Sequence, residues 1–345
     1  MEILSIQYLR GCAALLIVFY HLELQLQRVG YEGYWPHFLS AGVDIFFVIS
    51  GFIMWITTAN GMSALEFFRR RIVRVVPLYW LLTSVAVGIL IAFPSVMQSG
   101  QFDRSHVLAS YLFFPVVHPS LGIMVPVLVP GWTLNYEMFF YLIFGLGLFL
   151  PAILRLVAVS TILLGLAAIK SLTSVPPFTA IDFYASDRVL EFAFGTALGW
   201  LYVGGSKLSP TSAWVCFLFG AASIIFVGDS GMGSRGLLIG IPALLVVAGA
   251  VMIERSKGLP NFHSLHLLGN ASYSLYLSHT MTLSMIGQLW RRLPLGLFPG
   301  SSLVFGCASL AFAIFFGLLI HRYIEMPMLR FGNLQMFSRN KAREF

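Results

Sequence analysis

The sequence predicts an all-α, polytopic integral membrane protein with about ten transmembrane helices and both termini in the cytoplasm. Three observations carry this expectation. Of the 345 residues, 58% are hydrophobic and only 10% charged, against roughly 25% charged in a soluble domain, so a soluble core has no room for the apolar excess. About ten runs approach the ~20 mostly apolar residues that a bilayer-spanning helix needs. Basic residues cluster at the ends of particular runs, which sets orientation. The 15% aromatic content, with 31 Phe, suits lipid-facing helices and interfacial belts.

In chain order the expected spans are 4–25, 38–58, 72–93, 132–150, 153–170, 187–203, 211–228, 236–253, 271–290 and 301–322. The first lacks a basic n-region and a small-residue cleavage site, so it reads as a retained span rather than a signal peptide. The connection after the second span, "LEFFRRRIVRVVPLYW", holds Arg69, Arg70, Arg71 and Arg74 and is expected in the cytoplasm. An even number of spans then puts both termini inside. Lys207, Arg255, Lys257, Arg330, Arg339, Lys341 and Arg343 agree with that orientation, whereas Arg291 and Arg292 fall outside against the rule. The longest connection, 94–131, carries Pro94, Pro115, Pro119, Pro126 and Pro130 and is expected to be irregular, with one short half-buried helix near 105–114. Residues 1–330 form a single transmembrane domain in this reading, and 331–345 a short basic cytoplasmic tail.

The net charge of +7 reports topology here, not nucleic acid, because Lys and Arg sit at segment ends rather than along one soluble face. Cys12, Cys216 and Cys307 lie in apolar runs without metal-ligand spacing and read as buried free thiols; no metal is implied. The sequon Asn270-Ala271-Ser272 is expected near the cytoplasmic face and reads as chance.

Charged groups inside a membrane usually face a cavity or a partner. Arg10 and His21 are eleven residues apart, three helical turns, with ~20° of angular drift and ~16 Å of rise, so they share one helix face. A ligand could run along that face; the alternative is that each side chain snorkels to its own headgroup layer. Arg71 and Arg74, three apart, project from one face and suit a phosphorylated cosubstrate at the cytoplasmic mouth, or else merely fix topology. Depth counting puts His21, Asp44 and Glu137 at similar levels in the outer part of three spans. Glu137 or Asp44 is therefore a candidate to orient His21 for general base work, with a structural Glu137–Arg188 pair as the alternative. His279 lies mid-span, where a lone histidine is more often a packing residue. Glu325 is expected to partner an inner arginine.

Read together, "YLRGCAALLIVFYH", "GVDIFFVISGFIM", "FRRRIVRVVPLYW", "GWTLNYEMFFY", "LGNASYSLYLSH" and "YIEMP" occur in an order that resembles the membrane acyltransferase-3 family, bacterial proteins that O-acylate surface glycans, and within it the exopolysaccharide-production acyltransferases. The resemblance extends along the whole chain; the fused periplasmic esterase-like domain of some members is not part of it. It implies acyl-CoA, expected to be acetyl-CoA, as a donor entering from the cytoplasm. It implies His21 as the catalytic residue with Arg10 as its same-helix companion, and Arg71 and Arg74 as CoA-binding arginines, with Arg70 beside them. The acceptor is expected to be a glycan or lipid-linked glycan, the site a bacterial inner membrane, and no nucleic-acid partner is expected. The oligomeric state is left open, as is the choice between direct transfer and an acyl-enzyme. A proton-coupled transporter or flippase using His21, Asp44 and Glu137 as a relay is the alternative, disfavoured because no internal repeat is found. A non-catalytic membrane sensor is a third.

Overall fold

The computed structural model describes residues 2–93, 101–228, 234–292 and 300–332. Among these residues no strand forms, apart from an isolated Val117–Met124 bridge. The long helices are α1 (Leu4–Arg28), α2 (Gly42–Thr58, entered through a 3-10 turn at His37–Ala41) and α3 (Ala64–Ala92). A short α4 (Arg104–Tyr111) occupies the connection to α5 (Trp132–Gly147). There follow α6 (Ala152–Leu172), the one-turn α7 (Ala180–Tyr184), α8 (Val189–Val203), α9 (Pro210–Gly228), the one-turn α10 (Arg235–Leu238), α11 (Gly240–Lys257), α12 (His263–Arg292) and α13 (Ser301–Ile320).

Each of the ten expected stretches therefore contains a long helix. Among the described residues, seven helical segments are long and apolar enough to cross a membrane by length and composition, those at Leu4–Arg28, His37–Thr58, Ala64–Ala92, Ala152–Lys170, Pro210–Gly228, Arg235–Lys257 and Ser301–Gly332. Helices α5 and α8 are shorter, at 16 and 15 residues. Helix α12 is long, at 30 residues, but carries Ser272, Ser274, Ser278 and His279 in its middle.

Two helices start well before their expected spans, the first for a local reason. Helix α3 begins at Ala64, not 72, because Ser63 accepts a hydrogen bond from the backbone N–H of Glu66 and caps it. The arginine cluster is therefore helical rather than part of a loop. Helix α12 begins eight residues early, at His263. The short helix expected in the long connection is α4, capped by Asp103, whose carboxylate accepts from the His106 N–H at 2.7 Å. Pro94 and the tail beyond residue 332 lie outside the described residues.

Helix α2 packs along α8, α1 along α12, and α9 along α11. Close approach explains two of these pairings. A Cβ on Gly195 would stand 2.0 Å from the Val48 carbonyl, so the backbones of α2 and α8 touch there. A Cβ on Gly269 would stand 2.1 Å from the Gln7 carbonyl, which seats α12 on the start of α1. Phe47, Phe192 and Phe140 stack at 4.5 Å centroid separations and tie α2, α8 and α5 into one aromatic core. These contacts place α1, α2, α3, α5 and α12 around a common interior space.

Candidate active site

That space is a cavity of about 220 Å3. Arg10 of α1, Ser50 of α2, Arg71 and Arg74 of α3, Glu137 and Tyr141 of α5, and Tyr273 and Tyr276 of α12 line it. Ligand pockets commonly run ~300–1,000 Å3, so this volume suits one portion of an extended ligand rather than a whole coenzyme. The side chain of Arg10 turns into the bundle and donates to Gln7 Oε1 at 3.2 Å.

The three lining arginines are held differently. Arg74 is committed to Glu325, its Nη1 at 2.5 Å from a carboxylate that also accepts from Ser274 at 2.6 Å and contacts His321 Nδ1 at 2.8 Å. A π turn at His321–Glu325 carries Glu325 in, and the arginine partner expected for it is Arg74. Arg71 has no ion pair among the described residues. It contacts Thr57 Oγ1 at 3.3 Å, lies 5.6 Å from the Phe67 ring and 5.9 Å from the Tyr141 ring, and has a buried Nε without a partner. Arg71 thus keeps an unspent guanidinium at the cavity wall. Glu137 accepts from Ser50 at 3.2 Å and from the Tyr141 hydroxyl.

His21 sits beyond the other end of this lining. Its Nδ1 lies 3.0 Å from the Ile17 carbonyl and 3.2 Å from Nε2 of His279, with the rings 4.9 Å apart. These contacts fix the tautomers. A carbonyl only accepts, so the 2.5 Å contact of His279 Nδ1 with the Tyr276 carbonyl makes that nitrogen the N–H. His279 Nε2 is then an acceptor in the neutral ring. By the same logic His21 Nδ1 carries the hydrogen and shares it between Ile17 O and His279 Nε2. His21 Nε2 is left as the lone-pair nitrogen, the form a general base requires. His279 is fully buried, so the lone-pair partner it presents is not competed for by water.

Phe46, Thr133 and Tyr276 line the cavity where His21 does not, and Tyr276 contacts both of the others. The Tyr276 hydroxyl bonds Thr133 at 2.8 Å and the Pro130 carbonyl at 2.9 Å, and its ring lies 5.8 Å from that of His279.

Comparison with known proteins decides what this arrangement belongs to. A family model described as an acyltransferase domain matches residues 3–322. The exopolysaccharide production protein ExoZ of Rhizobium meliloti (strain 1021) is 36% identical over 88% of this chain and 93% of its own length. The chain belongs to the membrane acyltransferase-3 family. The acyltransferase MdmB of Streptomyces mycarofaciens is 26% identical over 84% of this chain and 81% of its own. The peptidoglycan O-acetyltransferase OatA of Listeria monocytogenes serovar 1/2a is 25% identical over 99% of this chain but 58% of its own. No solved structure matches.

In this acyltransferase, three residues expected at the site do not take the positions read from sequence. Asp44 does not meet His21. It is fully buried and bonds Arg235 through both oxygens, at 3.2 and 2.8 Å, with Glu191 as its acidic neighbour. The reason is rotation: Asp44 shares a face of α2 with Val48, Gly51 and Trp55, the face laid on α8, while Phe46, Ser50 and Ile53 face the cavity. Glu137 lies at the cavity with Tyr141 and not against His21, and Arg188 lies over the Trp132 ring at 5.1 Å instead of pairing with it. Arg70 is exposed and pairs with Glu66 one turn earlier, away from the cavity lining.

The residue that does hold His21, His279, comes from the far end of the sequence. Arg235 and Glu191 also went unread, the first hidden at a span's edge and the second within an apolar run. Among the described residues no cluster of His, Cys, Asp or Glu could hold a metal ion.

Proposed function

We propose that this acyltransferase is embedded in the bacterial inner membrane by ten spans with both termini cytoplasmic, as one domain over residues 1–330 followed by a basic tail. It moves an acyl group, acetyl in this reading, from cytoplasmic acyl-CoA to a hydroxyl of a cell-surface glycan. The names of the Rhizobium and Listeria relatives, which refer to exopolysaccharide production and peptidoglycan O-acetylation, support the acceptor class and the acetyl group.

The observation that carries the reading is the layout along α1. Arg10, Arg71 and Arg74 all line the cavity, and His21, three turns along α1 from Arg10, contacts His279 outside that lining. Guanidinium groups suit the phosphates of a CoA, Arg71 above all because its charge is unspent. The pantetheine arm would lie in the cavity, and the thioester would reach His21 past Tyr276. His21 Nε2 takes the proton of the acceptor hydroxyl as that oxygen attacks the acyl carbonyl. The new C–O bond forms, the C–S bond breaks, and the departing thiolate takes up the proton to leave as CoA thiol. His279 Nε2 accepts from the Nδ1–H of the charged imidazolium and steadies it. Glu137 balances charge among Arg10, Arg71 and Tyr141 rather than orienting the base.

The test is a full-length His21→Ala variant in proteoliposomes loaded with acyl-CoA on the side of the termini. Loss of glycan acylation at parental abundance is expected, since general base catalysis is commonly worth 10²–10⁴-fold. Acylation at the parental rate would remove His21 from the mechanism.

A further inference from the structure

Helix α1 carries a third basic residue on the face of Arg10 and His21. Arg28 lies seven residues beyond His21, ~10 Å along the axis with ~20° of drift, at the opposite end of the helix from Arg10. Arg291, in the last turn of α12, reaches the same place. The link between them is Gln25, a buried side chain whose Oε1 lies where a Cβ on Gly287 of α12 would be, 2.4 Å away. Arg28 Nη1 touches that Gln25 oxygen at 3.5 Å, and Arg291 Nε touches the Gly287 carbonyl at 3.3 Å. Both guanidinium groups therefore hang over one crossing of α1 and α12, near enough for their charges to oppose each other.

Neither arginine has an ion pair among the described residues. Among the described residues each makes one hydrogen bond, at the long limit of such bonds, out of five N–H donors per group. Two like charges brought together without a carboxylate form a latent anion site. Two planar forks over one point suit a dianionic, oxygen-rich group such as a diphosphate better than a single carboxylate, which one arginine satisfies.

We propose that Arg28 and Arg291 bind the phosphate groups of a lipid-linked acyl acceptor, a polyprenyl diphosphate-linked saccharide, and so present its sugars to His21. This rests on the function proposed above. An anionic phospholipid headgroup offers the same chemistry, but a mere membrane anchor has no need to stand on the face of the base, two turns from it. A diphosphate there would leave a short saccharide to span the distance to His21 Nε2.

The experiment uses the full chain in nanodiscs of zwitterionic lipid, the parent and an Arg28→Gln/Arg291→Gln double variant, and two acceptors: a polyprenyl diphosphate-linked oligosaccharide and the same oligosaccharide released from its diphosphate. Both arginines are exposed, so the variant is expected to fold as the parent does. The double variant should raise KM at least about tenfold for the diphosphate-linked acceptor alone, because charge-assisted bonds are lost. Its KM for acyl-CoA and for the released oligosaccharide should not change. Inorganic pyrophosphate titrated onto the protein without substrates should bind the parent and not the variant, a readout that survives if transfer to a glycan itself fails. Equal KM for the two acceptors in both proteins, or pyrophosphate binding unchanged in the variant, would overturn the proposal. So would an effect of the substitutions that tracks added anionic phospholipid regardless of acceptor.

Discussion

Replacing His279 by Phe tests the part of the site the sequence did not disclose. The ring is fully buried, so Phe keeps the volume while removing the acceptor nitrogen. In the resting enzyme the His21 Nδ1–H is shared between Ile17 O at 3.0 Å and His279 Nε2 at 3.2 Å, and losing one arm of a shared bond costs little. On the proposed mechanism the ring becomes an imidazolium as the hydroxyl oxygen attacks. A hydrogen bond from a charged group is worth about 1.5–3 kcal/mol against about 0.5–1.5 for a neutral one. The differential is about 1–2 kcal/mol, and only this differential enters kcat. It corresponds to about a 5- to 30-fold fall in kcat, with KM for both substrates unchanged. His279→Gln, which can offer an amide oxygen near the same place, should recover part of the loss. The assay is steady-state transfer from acyl-CoA to glycan by purified variants, normalised to folded protein. Parental kcat in His279→Phe, or a loss as deep as that of His21→Ala, would refute the reasoning, because Ile17 O still orients the ring.

Two further outcomes follow from how side chains are held. Arg71→Gln should raise KM for acyl-CoA about 10- to 100-fold with little change in thermal stability, since Arg71 has no ion pair among the described residues. Arg74→Gln should instead lower stability by up to about 3 kcal/mol, because it strands the buried Glu325; equal effects of the two substitutions on KM and stability would contradict this division. Gly195→Ala should destabilise by about 1–3 kcal/mol, as its methyl meets the Val48 carbonyl and the α2 and α8 backbones must part. Gly88→Ala on α3, where a methyl meets nothing within 4 Å, is the control, and equal melting of the two variants would argue against the contact.

How much of this was legible in the sequence depends on the range of the information each feature needs. Apolar run length located a helix in all ten stretches, because it is a one-dimensional property. Helix periodicity put Arg10 and His21 on one face and Arg71 beside Arg74, because three turns drift little. The start of α3 was also readable from Ser63 followed by Glu66 three residues on, a capping signature that apolar counting ignores. Depth alone could not place Asp44. Its azimuth depends on which helix α2 packs against, and that is set by Gly51 and Gly195 meeting across two distant segments. His279 reads as a lone packing histidine for the same reason, since its partner His21 lies 258 residues away. The serines around it were the available hint, as an apolar helix holds Ser272, Ser274, Ser278 and His279 together only where it faces protein.

The wall between cavity and base has a consequence for the chemistry. Tyr276 is fastened to Thr133 and to the Pro130 carbonyl, and its backbone carbonyl receives the Nδ1–H that fixes the tautomer of His279. Tyr276 thus lines the cavity with its side chain and fixes the tautomer of His279 through its backbone carbonyl. Freeing its hydroxyl forfeits two neutral hydrogen bonds, about 2 kcal/mol, so on the proposed mechanism an open path would be populated at a few per cent without ligand. A thioester arm that fills the cavity can shift that balance only through contacts made in the open state. Arg10 and His21 come from α1, and Tyr276 and His279 from α12, helices that pack along their length, so on the proposed mechanism Arg10 and the two histidines keep one register while the Tyr276 ring moves. On the proposed mechanism a resting Tyr276 would keep water from a bound thioester until a hydroxyl is in place, which is what transfer rather than hydrolysis requires.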